Sequence, residues 1–97
     1  MNHRLSSKAA EELDDLWHNL ATESNSFDVA DRFIDSLTDH FFMLAKHPLI
    51  GRTREELRPG YRGFPVGQYL ILYRVLDTGV EIMHVLHGRR DLDGFFR

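Results

Sequence analysis

No cysteine occurs among the 97 residues. That excludes a disulfide framework, a thiolate metal site and a cysteine nucleophile, and it suits a reducing cytoplasm. Long apolar runs are missing too. Even Tyr69 to Tyr73, as long as any, is far too short to span a bilayer. The opening residues Met1-Asn2-His3-Arg4 run straight into a polar segment and offer no signal-peptide core. The expectation is a cytoplasmic protein with no membrane association. No glycine-rich loop follows a strand and opens a helix, so nucleotide binding has no support. A Gly-x-Ser-x-Gly elbow is also absent. Lysine stops at Lys46; every cation of the second half is an arginine.

The charge is uneven. The net value is −3, but residues 1–50 hold four Lys/Arg against nine Asp/Glu, while residues 51–97 hold eight arginines against six acids. A nucleic-acid binder that relies on diffuse attraction is basic overall, and this chain is not. Arginine without lysine suits directional pairing with carboxylates or phosphates. Apolar residues make up 42%, which fits a folded chain rather than a disordered one. The length fits one domain, residues 1–97, that buries roughly two-thirds of its unfolded surface.

Residues 1–5 read as a short strand with Leu5 facing inward. Ser6 or Ser7 then caps a helix whose Ala9, Leu13, Leu16, Trp17 and Leu20 recur at three and four. A turn cluster at Thr22 to Ser26 precedes a second helix, capped by Ser26. Its Ala30, Phe33, Ile34, Leu37, Phe41 and Leu44 share one face, and Pro48 stops it. A short connection between two amphipathic helices predicts an antiparallel hairpin. Leu49 to Gly60 reads as loop. Tyr61–Val66 is a strand that Pro65 moves toward an edge; Tyr69–Leu76 is a central strand; Val80–His87 follows an Asp77-Thr78-Gly79 turn. Asp91 to Arg97 is a short tail. The expected fold is α+β: an N-terminal strand and a two-helix hairpin packed on an antiparallel three-strand C-terminal meander.

The candidate chemistry is sparse. His84 and His87 lie three apart on a strand and point to opposite faces. His40 and His47 lie two helical turns apart, too far to share an ion. No metal site or cofactor is therefore expected, and His84 reads as a half-buried histidine with a hydrogen-bond partner. Glu55-Glu56 and Asp91-x-Asp93 read as solvated loop acids. The arginines stand out: Arg52, Arg54 and Arg58 in the loop, Arg62 and Arg74 on strands, and Arg89 and Arg90 after Gly88. Tyr61, Tyr69 and Tyr73 are interleaved with them. Arginine with exposed tyrosine is the composition of a protein-interface hot spot, and equally of a surface that stacks a single-stranded nucleic acid. The plain alternative is ordinary surface arginine. Arg74, inside an apolar strand, needs a counter-ion, expected from a helix. Phe95 and Phe96 either fold back on the core or await a partner.

The stretch from Gly67 to Val75 (GQYLILYRV), followed by Val80 to Leu92 (VEIMHVLHGRRDL), resembles the C-terminal signature of the ParE toxins, within the ParE/RelE superfamily of type II toxin–antitoxin systems. Leu5-Ser6, the helix from Ala9 to Trp17 and His47-Pro48-x-x-Gly51-Arg52 resemble the same family, so the likeness spans nearly the whole chain. The resemblance implies a toxin component that forms a hetero-oligomer with a cognate ParD-like antitoxin and inhibits DNA gyrase by direct binding, without catalytic residues. The partner-contact residues are then expected among Arg62, Tyr69, Arg74, Arg89, Arg90, Phe95 and Phe96. RelE-branch relatives cut mRNA on the ribosome with basic side chains and a C-terminal tyrosine. Here that tyrosine position aligns with Phe96, which has no hydroxyl, and an arginine position of that branch aligns with Leu70, although Arg90 matches a basic residue used there. The alternatives to a gyrase toxin are a RelE-like ribosome-dependent endonuclease and a non-toxic relic kept in an autoregulatory complex.

Overall fold

Ser6 begins the first helix by accepting the Ala9 N–H through its Oγ at 3.0 Å, the N-cap arrangement that satisfies an otherwise unpaired donor. In the computed structural model, which describes residues 2–97, this helix, α1, spans Ser7–Ser24 and follows the strand β1, Asn2–Leu5. It ends at Asn25, whose left-handed backbone (φ 54°) is the conformation asparagine tolerates best among non-glycine residues. The helix thus runs through most of the expected turn cluster. Ser26 caps α2, Phe27–Lys46, by accepting from Val29 at 3.2 Å. The two form the expected hairpin, tied near its tip by Trp17 Nε1–H donating to Asp31 at 2.7 Å.

Five strands make one mixed sheet in the order β1-β5-β4-β3-β2. β3 (Tyr61–Val66), β4 (Tyr69–Leu76) and β5 (Gly79–His87) are the antiparallel meander. β1 adds to it in parallel with β5, pairing Leu5 with Ile82. The span read as loop contains β2, Arg52–Thr53, which pairs with Gly63 and Arg62. Because β2 ends there, Pro65 lies on an open stretch of β3, where a missing N–H breaks no ladder. Leu5 does not turn inward: it is 39% exposed, since the short edge strand presents that position to solvent.

The helices cover one face. Leu16, Leu37, Phe41 and Leu44 pack on Ile71, Tyr73, Val80 and Ile82, all at most 7% exposed. The other face carries a second cluster: Leu57, Tyr61, Leu72, Leu86 and Phe96. The tail supplies its lid as α3, Leu92–Phe95, with Asp91 capping the Gly94 N–H. Tyr61 and Tyr73 are therefore core residues, at 9% and 0% exposure, rather than exposed partners of the arginines. Tyr73 keeps its hydroxyl satisfied by donating to Pro48 O and accepting from Gly51 N–H, both at 2.8 Å.

A β-bulge interrupts β5. Leu72 pairs with His84 but Tyr73 pairs with Ile82, leaving Met83 without an opposite residue. On its other side, β5 is bonded by the start of α1 where β1 ends. Ser6 Oγ donates to Met83 O at 2.9 Å and Ser6 N–H to Ile82 O at 2.9 Å. Glu12 of α1 accepts the Val85 N–H at 3.0 Å and meets His84 Nδ1 at 2.9 Å.

Candidate functional site

The tail organises the helix-free face. Phe96 packs edge-on against Tyr61 and His84, and Phe95 edge-on against His84. A guanidinium lies over each ring: Arg58 over Phe96 at 5.0 Å and Arg90 over Phe95 at 4.4 Å, a cation–π placement. Arg58 also donates to Phe96 O at 2.7 Å. The tail has folded back, so Phe96 is buried in the fold itself while Phe95 stays half-exposed. His84 has the half-buried setting and hydrogen-bond partner expected of it. A carboxylate only accepts, so the Glu12 contact makes Nδ1 the protonated nitrogen.

The expected contact residues fall into two groups. Arg62 and Arg74 sit toward the end of the sheet where β3 begins and β4 ends, each within the fold's own bonding. Arg62 donates to Gly51 O at 2.7 Å and holds the segment after α2. Arg74 binds Glu81 at 2.7–2.8 Å. The counter-ion expected from a helix comes instead from the adjacent strand, because Arg74 and Glu81 are direct cross-strand neighbours. Arg4 approaches the same carboxylate at 3.4 Å. The Arg74 hydrogen bond, with Arg4 behind it, holds Glu81 below the usual carboxylate range.

Tyr69, Arg89 and Arg90 lie at the other end. A groove of about 410 Å³ opens there between the β3–β4 turn and the segment after β5, lined by Arg54, Gln68, Tyr69, His87, Arg89 and Leu92 among others. Arg89 is exposed and forms no ion pair among the described residues. Its backbone N–H donates to His87 Nδ1 at 3.1 Å, which leaves Nε2 as the protonated nitrogen of the neutral ring, facing Gln68 Oε1 at 3.4 Å. Tyr69 packs at a tilt on Phe33 of α2 and edge-on against His87, and burial pushes its phenol pKa up. Arg90 lies beside a neighbouring hollow that Glu12 and Asp15 also line.

Sequence reasoning missed Arg54, Gln68 and His87 as members of this site. Arg54 reaches it because its N–H bonds Tyr61 O at 2.8 Å, continuing the β2–β3 pairing. Gly63 leaves space for its stem: a Cβ there would lie 3.2 Å from Arg54 Cγ. The arginine itself was visible; the pairing that aims it was not.

Elsewhere the surface carries exposed apolar side chains. Phe27 is 72% exposed at the start of α2, stacked on Trp17. Phe42, Leu49 and Ile50, near and just beyond the end of α2, are 53–68% exposed. Among the described residues no helix is long and apolar enough to cross a membrane.

Comparison with known proteins gives a consistent result. A family model, the ParE toxin of the type II toxin–antitoxin system parDE, matches residues 4–92. Toxin ParE1 of Mycobacterium tuberculosis is 33% identical over 90 residues, covering 92% of this chain and 91% of its own. Toxin ParE1 of Caulobacter vibrioides is 36% identical over 85 residues, 88% and 86% of the two chains. Toxin ParE3 of the same organism is 37% identical over 70 residues, 72% and 70% of the two chains. A solved structure, described as the chromosomal ParDE TA system from P. aeruginosa, superposes with a TM-score of 0.76, covering 90% of this chain and 95% of that one at 19% identity. At that identity the likeness speaks for the fold.

Proposed function

Because this chain belongs to the ParE toxin family of type II toxin–antitoxin systems, we propose that it is a cytoplasmic toxin that acts by binding DNA gyrase and is silenced by a ParD-like antitoxin. The family match across residues 4–92 carries the reading. The antitoxin half has a physical counterpart in the exposed Phe42, Leu49 and Ile50. Apolar side chains at this exposure favour cover by a partner, and a disordered chain that folds on binding supplies it. The acidic hairpin and the arginine-bearing meander give that partner two surfaces of opposite sign. On the gyrase side, Tyr69, Arg89, Arg90 and Phe95 are the contact candidates left after Arg62, Arg74 and Phe96 are committed to internal bonds.

The test is a supercoiling assay with purified gyrase. The chain alone blocks supercoiling and accumulates cleaved DNA; equimolar antitoxin restores activity. Unchanged supercoiling, with codon-specific mRNA cleavage in a translation reaction, would replace the gyrase reading with a ribosomal one.

A further inference from the structure

The last residues of β5 have an open edge. β1 pairs with β5 only as far as Ile82, and Ser6 takes the next outward carbonyls, Ile82 O and Met83 O. Glu12 then accepts the Val85 N–H. Gly88 N–H donates to Gln68 O on the β4 side, and paired strands alternate the direction of their backbone groups. Leu86 therefore faces β4. The Val85 C=O and the His87 N–H point the way the Val85 N–H does, away from the sheet, and no described residue bonds either group. The opposite edge of the sheet differs: its outward position past β2 is Pro65, which has no N–H to offer. A hollow of about 380 Å³ runs along the open stretch, between β5 and the face of α1 that carries Glu12, Leu16 and Asn19. Buried Leu16 and Val85 give it apolar walls. Arg90 stands beside it, exposed and outside every ion pair of the described residues.

We propose that this edge receives an extended segment of the toxin's protein target as one more parallel strand, with the pattern apolar–acidic–apolar; the source of the segment rests on the gyrase reading above. In parallel pairing the middle residue sits opposite Leu86 and satisfies both open groups alone, its N–H on Val85 O and its C=O on His87 N–H. An antiparallel segment needs the Val85 N–H, which Glu12 already holds. Neighbouring strands present matching faces. The middle side chain thus lies on the face of Leu86 and the tail, where Arg90 covers Phe95 at 4.4 Å, and an acid there meets an unpaired guanidinium. The flanking side chains fall on the face of Val85 and His87 and enter the hollow beside Leu16 and Tyr69. The backbone carries the binding, and Arg90 selects the sign of charge. Tyr69 and Arg90 are among the contact candidates left for the target. The apolar side chains assigned to the antitoxin lie toward the other end of the sheet, where Phe42 packs on His3, the partner of Val80.

The experiment pairs an amide-resolved NMR titration of the full chain with a gyrase supercoiling assay. The titrants are the acetylated, amidated peptide TVEVT and its lysine counterpart TVKVT. TVEVT shifts the Leu86 and His87 amide resonances and slows exchange of the His87 amide. TVKVT binds about threefold to fivefold more weakly, the size of an exposed ion pair. Arg90→Glu reverses that preference, which a loss of fold would not do. Asn19→Trp fills the hollow and removes binding of both peptides; Asn19 is exposed, so the variant folds, which circular dichroism verifies. In the supercoiling assay Arg90→Glu and Asn19→Trp each raise the inhibitory concentration about tenfold, as for one lost interface anchor, and Arg32→Ala on the hairpin leaves it unchanged. A His87 amide as slow to exchange as that of Leu86 in the free chain, failure of TVEVT to bind, or a charge preference indifferent to Arg90→Glu overturns the added strand. Full inhibition by Asn19→Trp overturns its assignment to the target and leaves the gyrase reading standing. A wild-type chain that does not inhibit gyrase ends that reading and the assignment with it, while the peptide titration still decides the strand.

Discussion

Glu12 and His84, 72 positions apart in the chain, meet at 2.9 Å, and the second oxygen of the same carboxylate accepts the Val85 N–H at 3.0 Å. One side chain of α1 thus continues the hydrogen bonding along the edge of β5 beyond the point where β1 ends. Removing it leaves a half-buried N–H and imidazole N–H without partners, which costs more than a single exposed bond.

Glu12→Ala is expected to destabilise the fold by about 1–3 kcal/mol, and Glu12→Gln by less, since an amide oxygen still accepts. Urea unfolding of the three proteins checks the order. Equal midpoints for wild type and Glu12→Ala would sever the link between α1 and the edge of β5.

Tyr73→Phe keeps the buried ring but strands Gly51 N–H and Pro48 O. A loss of about 1–3 kcal/mol follows. Gly51→Ala should act on the same joint, because a Cβ there runs into the Tyr73 hydroxyl. Thermal melts of both single variants and the double variant test the coupling, which is non-additive if they share one joint.

Stability falls at both pH extremes for identifiable reasons. Glu81 titrates below the usual carboxylate range, mainly through its hydrogen bond from Arg74. Its contribution is present above the ordinary carboxylate pKa and is lost as pH falls through the lowered value. Burial raises the phenols of Tyr73, Tyr61 and Tyr69. Their contribution is present below the ordinary tyrosine pKa and disappears as pH climbs through the raised one. Glu81→Gln should flatten the acid arm of a melting-temperature profile and leave the alkaline arm alone.

Phe96→Ala removes a ring at 9% exposure from the second cluster and is expected to cost about 2–4 kcal/mol. Phe27→Ala, at 72% exposure, should stay within about 0.5 kcal/mol. Calorimetry that ranks the two in reverse would contradict the folded-back tail.

The order of strand, helix, helix and meander was legible because each element carries local marks: Ser6 and Ser26 as caps, Pro48 as a stop, and β-branched and aromatic runs bounded by turns. What escaped were relations between distant positions. Nothing near Arg52 indicates that it pairs with Gly63. Leu5 is apolar yet exposed because it belongs to an edge strand, which only the sheet order determines. Arg74 finds Glu81 across a hairpin whose register the turn fixes. The groove was least legible, since Arg54, Tyr69 and the neighbouring His87 and Arg89 come from three separate segments. Glu12 had no signal at all: it reads as one more surface acid of α1, and the uncovered edge of β5 it serves depends on where β1 ends.

β5 lies between β1 and β4, although β1 is synthesised first and β5 is the last strand made. During translation, then, the opening strand and both helices leave the ribosome before the surface they pack against exists. The nascent chain keeps part of its apolar layer uncovered until Gly79–His87 emerges, because Val80, Ile82 and Val85 complete the face that Ile71 and Tyr73 begin.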